Sequence, residues 1–313
     1  MRGRMLLLLA FLPVAGCDSP QDGAPLPPPA STGRETSAVE EGPGIDPSLP
    51  PLRIALIPLE NPERLIDDVQ PAMTFLQQSL RRRIEYRVTL DYSTAVAAMS
   101  SGEADVSFMS PLPYVLAHQQ TGAKAVLGEV YAGRPWYVSK IFVRRESGIS
   151  SIEGLAGKSV AYVDPISSSG FMYPHDVFAR AGLEVGDASD PAGNFFSRVF
   201  FAGGDQQAMQ ALADGHVDAA GTGEFAINLL PLARRDQVVS IAESVRIPSH
   251  CIVVRRDLDA TLEREFVGAM MALNEPPNRH LLAKLYGTEG YVEVTHETYA
   301  SVEEMARKYG FVR

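Results

Sequence analysis

A run of three serines is the feature of the sequence with the clearest potential for chemistry. The block reads Asp164-Pro165-Ile166-Ser167-Ser168-Ser169-Gly170 and lies between a predicted strand and a predicted helix. Three hydroxyl groups and the free N–H groups of the first helical turn form a site the size of a small anion, which the helix dipole favours. The block predicts an oxyanion site without Lys or Arg. The alternative is that one serine only caps the helix and the others fill a turn.

Alternating strand and helix patterns lie on both sides of the serine block. Before it, the predicted strands are 52–57, 86–90 and 106–109, and the predicted helices are 71–82 and 94–101. From residue 159 onward, the predicted strands are 159–163, 199–202 and 217–221, and the predicted helices are 169–181 and 205–214. This alternation predicts an α/β fold with mixed, mostly parallel sheets, whose ligands bind at the carboxyl ends of strands.

Because the pattern repeats, we expect two α/β lobes joined by two crossover strands. The candidates for these strands are the apolar segments 137–143 and 251–254. The first lobe is expected to comprise residues 52–141 and 252–313, and the second residues 142–251. The remainder from residue 258 to residue 313 is predicted to be helical and to return to the first lobe.

The first seventeen residues are typical of an export signal. Arg2 and Arg4 precede the apolar stretch 5–12, which is too short to span a bilayer as a stable helix. Val14-Ala15-Gly16-Cys17 follows, and the whole resembles a bacterial lipoprotein signal, in which the cysteine becomes lipidated. We therefore expect an exported lipoprotein, periplasmic or at the cell surface, anchored to a bacterial membrane. A plain signal peptide with an incidental cysteine is the alternative.

The composition of the following segment, 18–51, predicts a disordered tether. It is rich in Pro, Gly, Ser, Ala and Glu and has almost no large apolar residues, so it cannot bury enough surface to fold alone. The other cysteine of the chain is Cys251, so a lipidated Cys17 leaves no intramolecular disulfide.

Composition and charge exclude several classes of protein. Hydrophobic residues make up 45% of the 313 residues and charged residues 21%, which is typical of a globular chain and excludes a fibrous or disordered one. The net charge of −10 argues against a nucleic-acid partner. The basic run Arg81-Arg82-Arg83 ends a predicted helix and is interpreted as a solvated helix end.

Short motifs between residues 52 and 275 give the chain a resemblance to a known family. They are Pro58-Leu59-Glu60-Asn61-Pro62, Asp91-Tyr92, Gly102-Glu103-Ala104-Asp105-Val106, Ser110-Pro111-Leu112-Pro113-Tyr114, Tyr137-Val138-Ser139, Gly148-Ile149-Ser150-Ser151, the block 164–170, Gly215-His216-Val217-Asp218-Ala219-Ala220, and Arg246-Ile247-Pro248-Ser249. In order and spacing they resemble the phosphonate, phosphite and phosphate group of substrate-binding proteins of ABC transporters. The resemblance implies the type II periplasmic-binding-protein fold, a small phosphorus oxyanion as ligand and an ABC permease as partner.

The resemblance also implies roles for individual residues. Ser167, Ser168 and Ser169 match the hydroxyl loop that holds the three oxygens of the phosphorus group. Tyr92 and Tyr137 match aromatic residues that close over that group, although buried tyrosines can simply cover sheet ends.

Three acidic or polar positions bear on the rest of the ligand. Glu224 matches an acid that faces the substrate amine in aminoalkylphosphonate binders, with helix capping as the alternative. Asp205 stands where the family usually has a histidine, and Ser249-His250 stand where amine binders tend to have an acid. If Asp205 and Glu224 both face the cleft, they favour a ligand that is still protonated or that carries a cation beside its anion.

Neither an enzyme nor a cofactor is predicted. The sequence has no Gly-x-Ser-x-Gly elbow, no Ser-x-x-Lys and no His-Glu-x-x-His motif. His250 and Cys251 are adjacent but lack a spaced second pair, so no metal is expected.

We therefore predict a lipid-anchored substrate-binding component of an ABC importer, expected to be a monomer, whose lobes close on a small phosphorus oxyanion. The alternative is an extracytoplasmic sensing or scaffold module of the same fold that binds a different small ligand.

Overall fold

Two mixed β-sheets organise the residues that the computed structural model describes, which are 37–39, 42–59, 61–186 and 189–313. The strands are β1 (Ser37–Ala38), β2 (Leu52–Leu56), β3 (Ile84–Val88), β4 (Val106–Met109), β5 (Lys124–Val130), β6 (Trp136–Tyr137), β7 (Ser139–Arg144), β8 (Ser159–Tyr162), β9 (Arg198–Phe201), β10 (Ala219–Gly223), β11 (Val238–Glu243), β12 (Ile247–Pro248), β13 (Cys251–Val254) and β14 (Gly290–Glu293). The α-helices are α1 (Pro62–Leu80), α2 (Tyr92–Ser101), α3 (Pro111–Thr121), α4 (Tyr173–Arg180), α5 (Asp205–Ala213), α6 (Leu232–Arg235), α7 (Ala260–Met271), α8 (Arg279–Leu282) and α9 (Ala300–Lys308).

The two sheets share one strand arrangement at their centres. The seven-stranded sheet has the order β1-β3-β2-β4-β13-β5-β14, and β3, β2 and β4 are parallel. The five-stranded sheet has the order β11-β7-β10-β8-β9, and β10, β8 and β9 are parallel. In each parallel trio the strand that comes first in the chain lies between the other two. The α/β fold with mixed sheets is confirmed, and the predicted repeat is present as this strand order.

The remaining strands of both sheets pair antiparallel. In the seven-stranded sheet β13 lies between β4 and β5, antiparallel to both, and in the five-stranded sheet β7 lies antiparallel between β11 and β10. Antiparallel pairing is therefore more extensive than the mostly parallel arrangement predicted. The reason is that a buried apolar run specifies a strand but not its direction.

A two-stranded ribbon links the two sheets. β6 pairs antiparallel with β12, with Tyr137 opposite Ile247. The Trp136 ring lies between two guanidinium groups, with Arg134 at 4.3 Å and Arg246 at 4.1 Å from the ring centroid. These cation–π contacts stabilise the ribbon.

The chain passes between the two sheets at positions that differ from the predicted crossover segments. β7 belongs entirely to the five-stranded sheet and β13 entirely to the seven-stranded sheet. The boundary predicted between residues 141 and 142 thus falls inside β7. The chain crosses at 131–138 and 244–250, where short irregular stretches flank the ribbon strands and leave no long apolar run for a sequence pattern to detect.

The start of α1 also differs from prediction. The helix begins at Pro62, well before the predicted residue 71, and continues through Pro71. The Asn61 side chain caps it by accepting a hydrogen bond from the Arg64 N–H at 3.1 Å. Leu65 and Val69 are buried with Met73 and its neighbours, so packing of the apolar face outweighs the hydrogen bond lost at Pro71.

Part of the segment predicted to be a disordered tether packs on the seven-stranded sheet. β1 pairs antiparallel with β3, and the Val39 N–H donates to the Ile84 carbonyl at 3.2 Å. Further along, the Asp46 N–H donates to the Arg81 carbonyl at 3.0 Å. The prediction of disorder is corrected for these residues, because the open edge of β3 offers backbone partners to an extended segment that has no core of its own.

Two other expectations concern the ends of the chain. The predicted signal and Cys17 lie outside the described residues. The remainder 258–313, predicted to be helical, also contains β14, which pairs antiparallel with β5 at the edge of the sheet. None of the helices in the described ranges combines the length and the apolar content needed to cross a bilayer.

A buried carboxylate ties the C-terminal helix to the helix that follows the serine block. Asp176 of α4 is 1% exposed and accepts hydrogen bonds from Lys308 Nζ at 2.8 Å, the Tyr309 hydroxyl at 2.7 Å and Arg180 Nε at 2.6 Å. α9, which ends at Lys308, also contacts α3. Burial alone would raise the pKa of Asp176, but the three donors hold it below its usual value.

We predict that Asp176→Asn lowers the free energy of unfolding by about 1–3 kcal/mol at pH 7, because charge-assisted hydrogen bonds are lost. The folded pKa is lower than the unfolded one, so this stability is present above the unfolded pKa of about 3.9 and is lost as pH falls through the folded pKa. Urea titrations of both proteins between pH 7 and pH 3 test this, with the exposed Asp236→Asn as control. A difference that does not shrink in acid would contradict it.

Candidate ligand-binding site

The carboxyl ends of the parallel strands of the two sheets face each other. The Leu112 N–H, in the first turn of α3 after β4, donates to Ser168 Oγ at 2.7 Å. The Tyr92 N–H, at the start of α2 after β3, lies 3.4 Å from Asp164 Oδ2, which follows β8. In open α/β sheets ligands bind at such edges, where the strand order reverses.

The three serines have different partners in the structure. Ser167 Oγ accepts a hydrogen bond from the Gly170 N–H at 3.1 Å and therefore caps the single turn of π-helix at Ser168–Met172. Ser168 Oγ accepts the Leu112 N–H. Ser169 Oγ accepts the Tyr137 hydroxyl at 3.3 Å, and the Ser139 hydroxyl donates to the Ser169 carbonyl at 2.6 Å. Capping thus occupies one serine, and another presents its hydroxyl to a cavity.

That cavity has a volume of about 100 Å³ and lies between the two sheets. Its lining residues are Leu59, Tyr131, Tyr137, Ser169, Asp205, Gly223, Phe225, Ala226, Leu229, His250 and Tyr286. Among the predicted ligand-binding residues, Tyr137, Ser169, Asp205 and His250 line the cavity, whereas Ser167, Ser168, Tyr92 and Glu224 do not. The lining contains hydroxyl, imidazole and carboxyl groups but, in the described part of the chain, neither Arg nor Lys.

Asp205 is the carboxylate of this cavity. It is the first residue of α5 and is 9% exposed, and its Oδ1 lies 3.3 Å from the Gly223 N–H, which donates to it. Burial raises the pKa of Asp205 to about 6, and hydrogen bonds from backbone N–H groups oppose that shift only in part.

The two predicted tyrosines are both buried next to the serine block. Burial raises the pKa of Tyr92 well above its usual value, with further contributions from the negative charges of Asp205 and Asp164. Burial likewise raises the pKa of Tyr137. Both phenols are therefore neutral hydrogen-bonding groups at physiological pH. The Tyr137 ring also meets the His250 ring edge-on, with centroids 5.4 Å apart.

Glu224 contacts the ribbon side of the structure. Its Oε1 accepts Arg134 Nη2 at 3.1 Å and the Val138 N–H at 3.2 Å. Arg134 in turn stacks on Trp136. The resemblance implies that Glu224 faces the amine of a substrate, but in the structure Glu224 forms an ion pair with Arg134 of the protein itself.

A buried polar group behind the cavity wall was missed by the sequence reasoning. Glu129 of β5 is 1% exposed and accepts a hydrogen bond from the Tyr131 hydroxyl, and desolvation raises its pKa to about 7. His250 Nδ1 lies 3.9 Å from Glu129, but burial lowers the pKa of His250 to about 4, so the imidazole is neutral at pH 7 and this contact is not an ion pair. The available signal was a lone acid within the apolar run of β5.

A second missed feature is the hydroxyl of Ser110. Ser110 precedes α3 and is 1% exposed, and its Oγ has no hydrogen-bond partner among the described residues. It is therefore a free hydrogen-bonding group beside the Leu112 N–H. No group of three or more residues within the described ranges is arranged to hold a metal ion.

The paired α/β sheets and the cavity between them define a binding protein of the periplasmic type. The family model for periplasmic substrate-binding proteins of phosphonate ABC transporters matches residues 54–299, and the chain belongs to this family. The family consists of binding proteins, in agreement with the prediction that the chain is not an enzyme.

Similar proteins agree with this assignment. The phosphate-import protein PhnD of Mycolicibacterium smegmatis is 31% identical over 172 residues, which cover 54% of this chain and 53% of that protein. The chain thus matches about half the length of that relative. A binding-protein component of a Pseudomonas aeruginosa ABC phosphonate transporter shares the fold with a TM-score of 0.74 and 19% identity, covering 83% of this chain and 87% of the other.

PhnD1 of Prochlorococcus marinus, solved in complex with methylphosphonate, also has this fold. Its TM-score is 0.74 at 18% identity, and the superposition covers 84% of this chain and 99% of that one. The predicted fold class is confirmed by both structures.

We predict that Gly170→Ala destabilises the serine block, because a Cβ there would lie 2.3 Å from Val163 Cβ and 2.8 Å from Ser167 Oγ. The expected loss in the free energy of unfolding is about 1–3 kcal/mol, typical of overpacking, and urea denaturation measures it. Gly268→Ala in α7 is the control, since nothing lies within 4 Å of its Cβ position, and it should be stabilising by about 0.5–1 kcal/mol. Equal effects of the two substitutions would contradict the argument.

Proposed function

We propose that this chain is the lipid-anchored substrate-binding component of an ABC importer for a phosphonate, phosphite or phosphate-type oxyanion. The observation that carries the proposal is the pair of hydroxyls, Ser169 and Tyr137, in a small cavity at the facing strand ends. Membership in the phosphonate-binding family supports the ligand class. The phosphate-import relative and the methylphosphonate complex support it further.

Neutral donors suit a protein that must bind its ligand and then release it. Hydroxyl and backbone N–H groups hold an oxyanion through charge-assisted hydrogen bonds without a permanent counter-charge. Ser169 and Tyr137 would supply these bonds directly. Ser168 precedes Ser169 and accepts the Leu112 N–H from the helix that Ser110 precedes, so both hydroxyls would be further donors if the site adjusts. Separation of the two sheets would remove the donors of one side and release the anion.

The ribbon of β6 and β12 is the natural hinge for such a movement. It carries the chain between the sheets, while the contacts of Leu112 with Ser168 and of Tyr92 with Asp164 join their facing ends. A ligand that bridges these ends favours the closed arrangement and shifts the population toward it. The closed form would then be the one presented to the permease.

We predict that Ser169→Ala and Tyr137→Phe each weaken binding of the true ligand by about 10- to 100-fold, because each removes a hydrogen bond to a charged group. Calorimetric titration of the purified full chain in detergent with phosphite, methylphosphonate, 2-aminoethylphosphonate and phosphate tests this. The control is Ser150→Ala, which removes the hydroxyl of an exposed serine.

Two results would count against the proposal. Folded protein that binds none of these compounds would indicate the alternative, a sensing or scaffold module with a different ligand. Binding that is unchanged in both variants would place the ligand elsewhere.

Lipid anchoring rests on the order of charge, apolar stretch and cysteine at residues 2–17. A single lipid-modified cysteine would hold an exported domain at the membrane where its permease lies.

We predict that Cys17→Ser moves the protein from the membrane fraction to the soluble fraction of cells that express the full chain. Fractionation followed by immunoblotting measures this. Cys251→Ala is the matched control, since it removes a buried thiol of the folded part and should leave the protein on the membrane. Membrane retention of the Cys17→Ser protein would show that the cysteine is incidental.

A further inference from the structure

We propose that Asp205 makes the cavity selective for oxyanions that still carry a proton, by accepting a hydrogen bond from an O–H group of the bound anion. The proposal rests on the proposed function, since it requires an oxyanion in this cavity. It concerns which oxyanions are accepted and which are rejected.

The geometry places the carboxylate and the hydroxyl donors around one glycine. The Gly223 N–H donates to Asp205 Oδ1 at 3.3 Å. A Cβ atom added to Gly223 would lie 3.4 Å from Ser169 Oγ and 3.4 Å from Tyr137 Cε2, so the hydroxyl donors are also next to this glycine. An anion held by Ser169 and Tyr137 therefore lies within reach of the carboxylate, with no side chain at residue 223 to separate them.

Among the described residues, the groups around Asp205 offer no positive charge. The cavity that Asp205 lines is also lined by Tyr137 from β6, Ser169, Tyr131, His250 and Tyr286. Burial raises the pKa of Tyr92 from α2, which lies close enough that the charge of Asp205 raises that pKa further. Glu129 lies behind Tyr131, and Asp164 lies beside Tyr92. His250 is neutral at pH 7, because burial lowers its pKa to about 4.

A fully ionised anion would consequently meet a second negative charge with no proton between them. An anion that keeps one proton avoids this repulsion, because its O–H donates to Asp205 while its other oxygens accept from the hydroxyls. Whether the shared proton resides on the ligand or on Asp205, the complex contains exactly one proton at this contact. Phosphonate and phosphate groups lose their second proton near neutral pH, whereas a sulfonate is already fully ionised and has no proton to donate.

The test compares methylphosphonate with methanesulfonate, which have similar shapes and three oxygens each; the methylphosphonate monoanion carries a proton on one oxygen and methanesulfonate does not. Calorimetry of the full chain in detergent between pH 6 and pH 9 gives both affinities. Measurement in two buffers of different ionisation enthalpy also gives the protons taken up. We expect methylphosphonate affinity to fall about tenfold per pH unit above its second pKa, with uptake of one proton. At pH 7.5 methanesulfonate should bind at least about tenfold more weakly.

Asp205→Asn should remove this selectivity, because the amide N–H donates to an oxygen that carries no proton. The ratio of methylphosphonate affinity to methanesulfonate affinity should fall by at least about tenfold, and the affinity for methylphosphonate should depend less on pH. Asp214→Asn makes the same change of charge just beyond the other end of α5, at an exposed residue outside the cavity, and should behave as the unaltered protein does.

The outcomes separate this inference from the proposed function. Unaltered protein that binds methylphosphonate with no proton uptake and no preference over methanesulfonate overturns the inference alone, and this measurement requires no variant to fold. An unchanged preference in folded Asp205→Asn protein also overturns it. Failure of the unaltered protein to bind any phosphorus oxyanion overturns the proposed function and the inference together.

Discussion

The hydrogen bond from the Leu112 N–H to the Ser168 hydroxyl oxygen, at 2.7 Å, joins two helical starts that belong to different sheets. Each start follows a parallel strand, and each presents backbone N–H groups with the positive end of its dipole. Two such ends can face each other closely only if something between them accepts hydrogen bonds. Here serine hydroxyls do so, and Ser110 remains without a partner within the described residues. This contact joins the facing strand ends of the two sheets next to Ser169, whose hydroxyl lines the cavity.

The absence of Lys and Arg from the described lining of the cavity determines its electrostatics. With no counter-charge, affinity must come from hydroxyl and backbone donors, and each buried charge must find hydrogen bonds or accept a proton. Asp205 and Glu129 illustrate this: burial raises both pKa values, to about 6 and about 7. Carboxyl groups in such surroundings sense the protonation of their neighbours. Desolvation makes the charged form of each carboxyl group unfavourable, so the group interacts differently with a neighbour that carries a proton and one that does not.

The sequence was sufficient for the features set by local pattern. The strand-helix alternation predicted the two parallel trios, and the serine block after β8 predicted polar groups at a strand end. It could not show that the remaining strands, among them the internal β7 and β13, pair antiparallel, because direction depends on pairing partners far away in the chain. β1 and β14 are ordered by the open edges of β3 and β5 rather than by their own propensity. Glu129 was missed because its burial and its neighbour His250, far away in the chain, arise only on folding, although its hydrogen-bond partner Tyr131 is two residues away.

Glu224 shows how pairing in the fold changes what a matching residue can do. Its carboxylate forms an ion pair with Arg134 and accepts a hydrogen bond from the Val138 N–H, and Arg134 is itself held against Trp136 of the ribbon. A substrate amine entering the cavity would have to compete with this cation for the same carboxylate. Apolar and aromatic side chains form much of the cavity lining, among them Leu59, Phe225 and Leu229. The carboxylate within the cavity lining is Asp205, so an ammonium group there would have Asp205 rather than Glu224 as its partner. Glu224 therefore stabilises the ribbon through Arg134 and the Val138 N–H, and it is not part of the cavity lining.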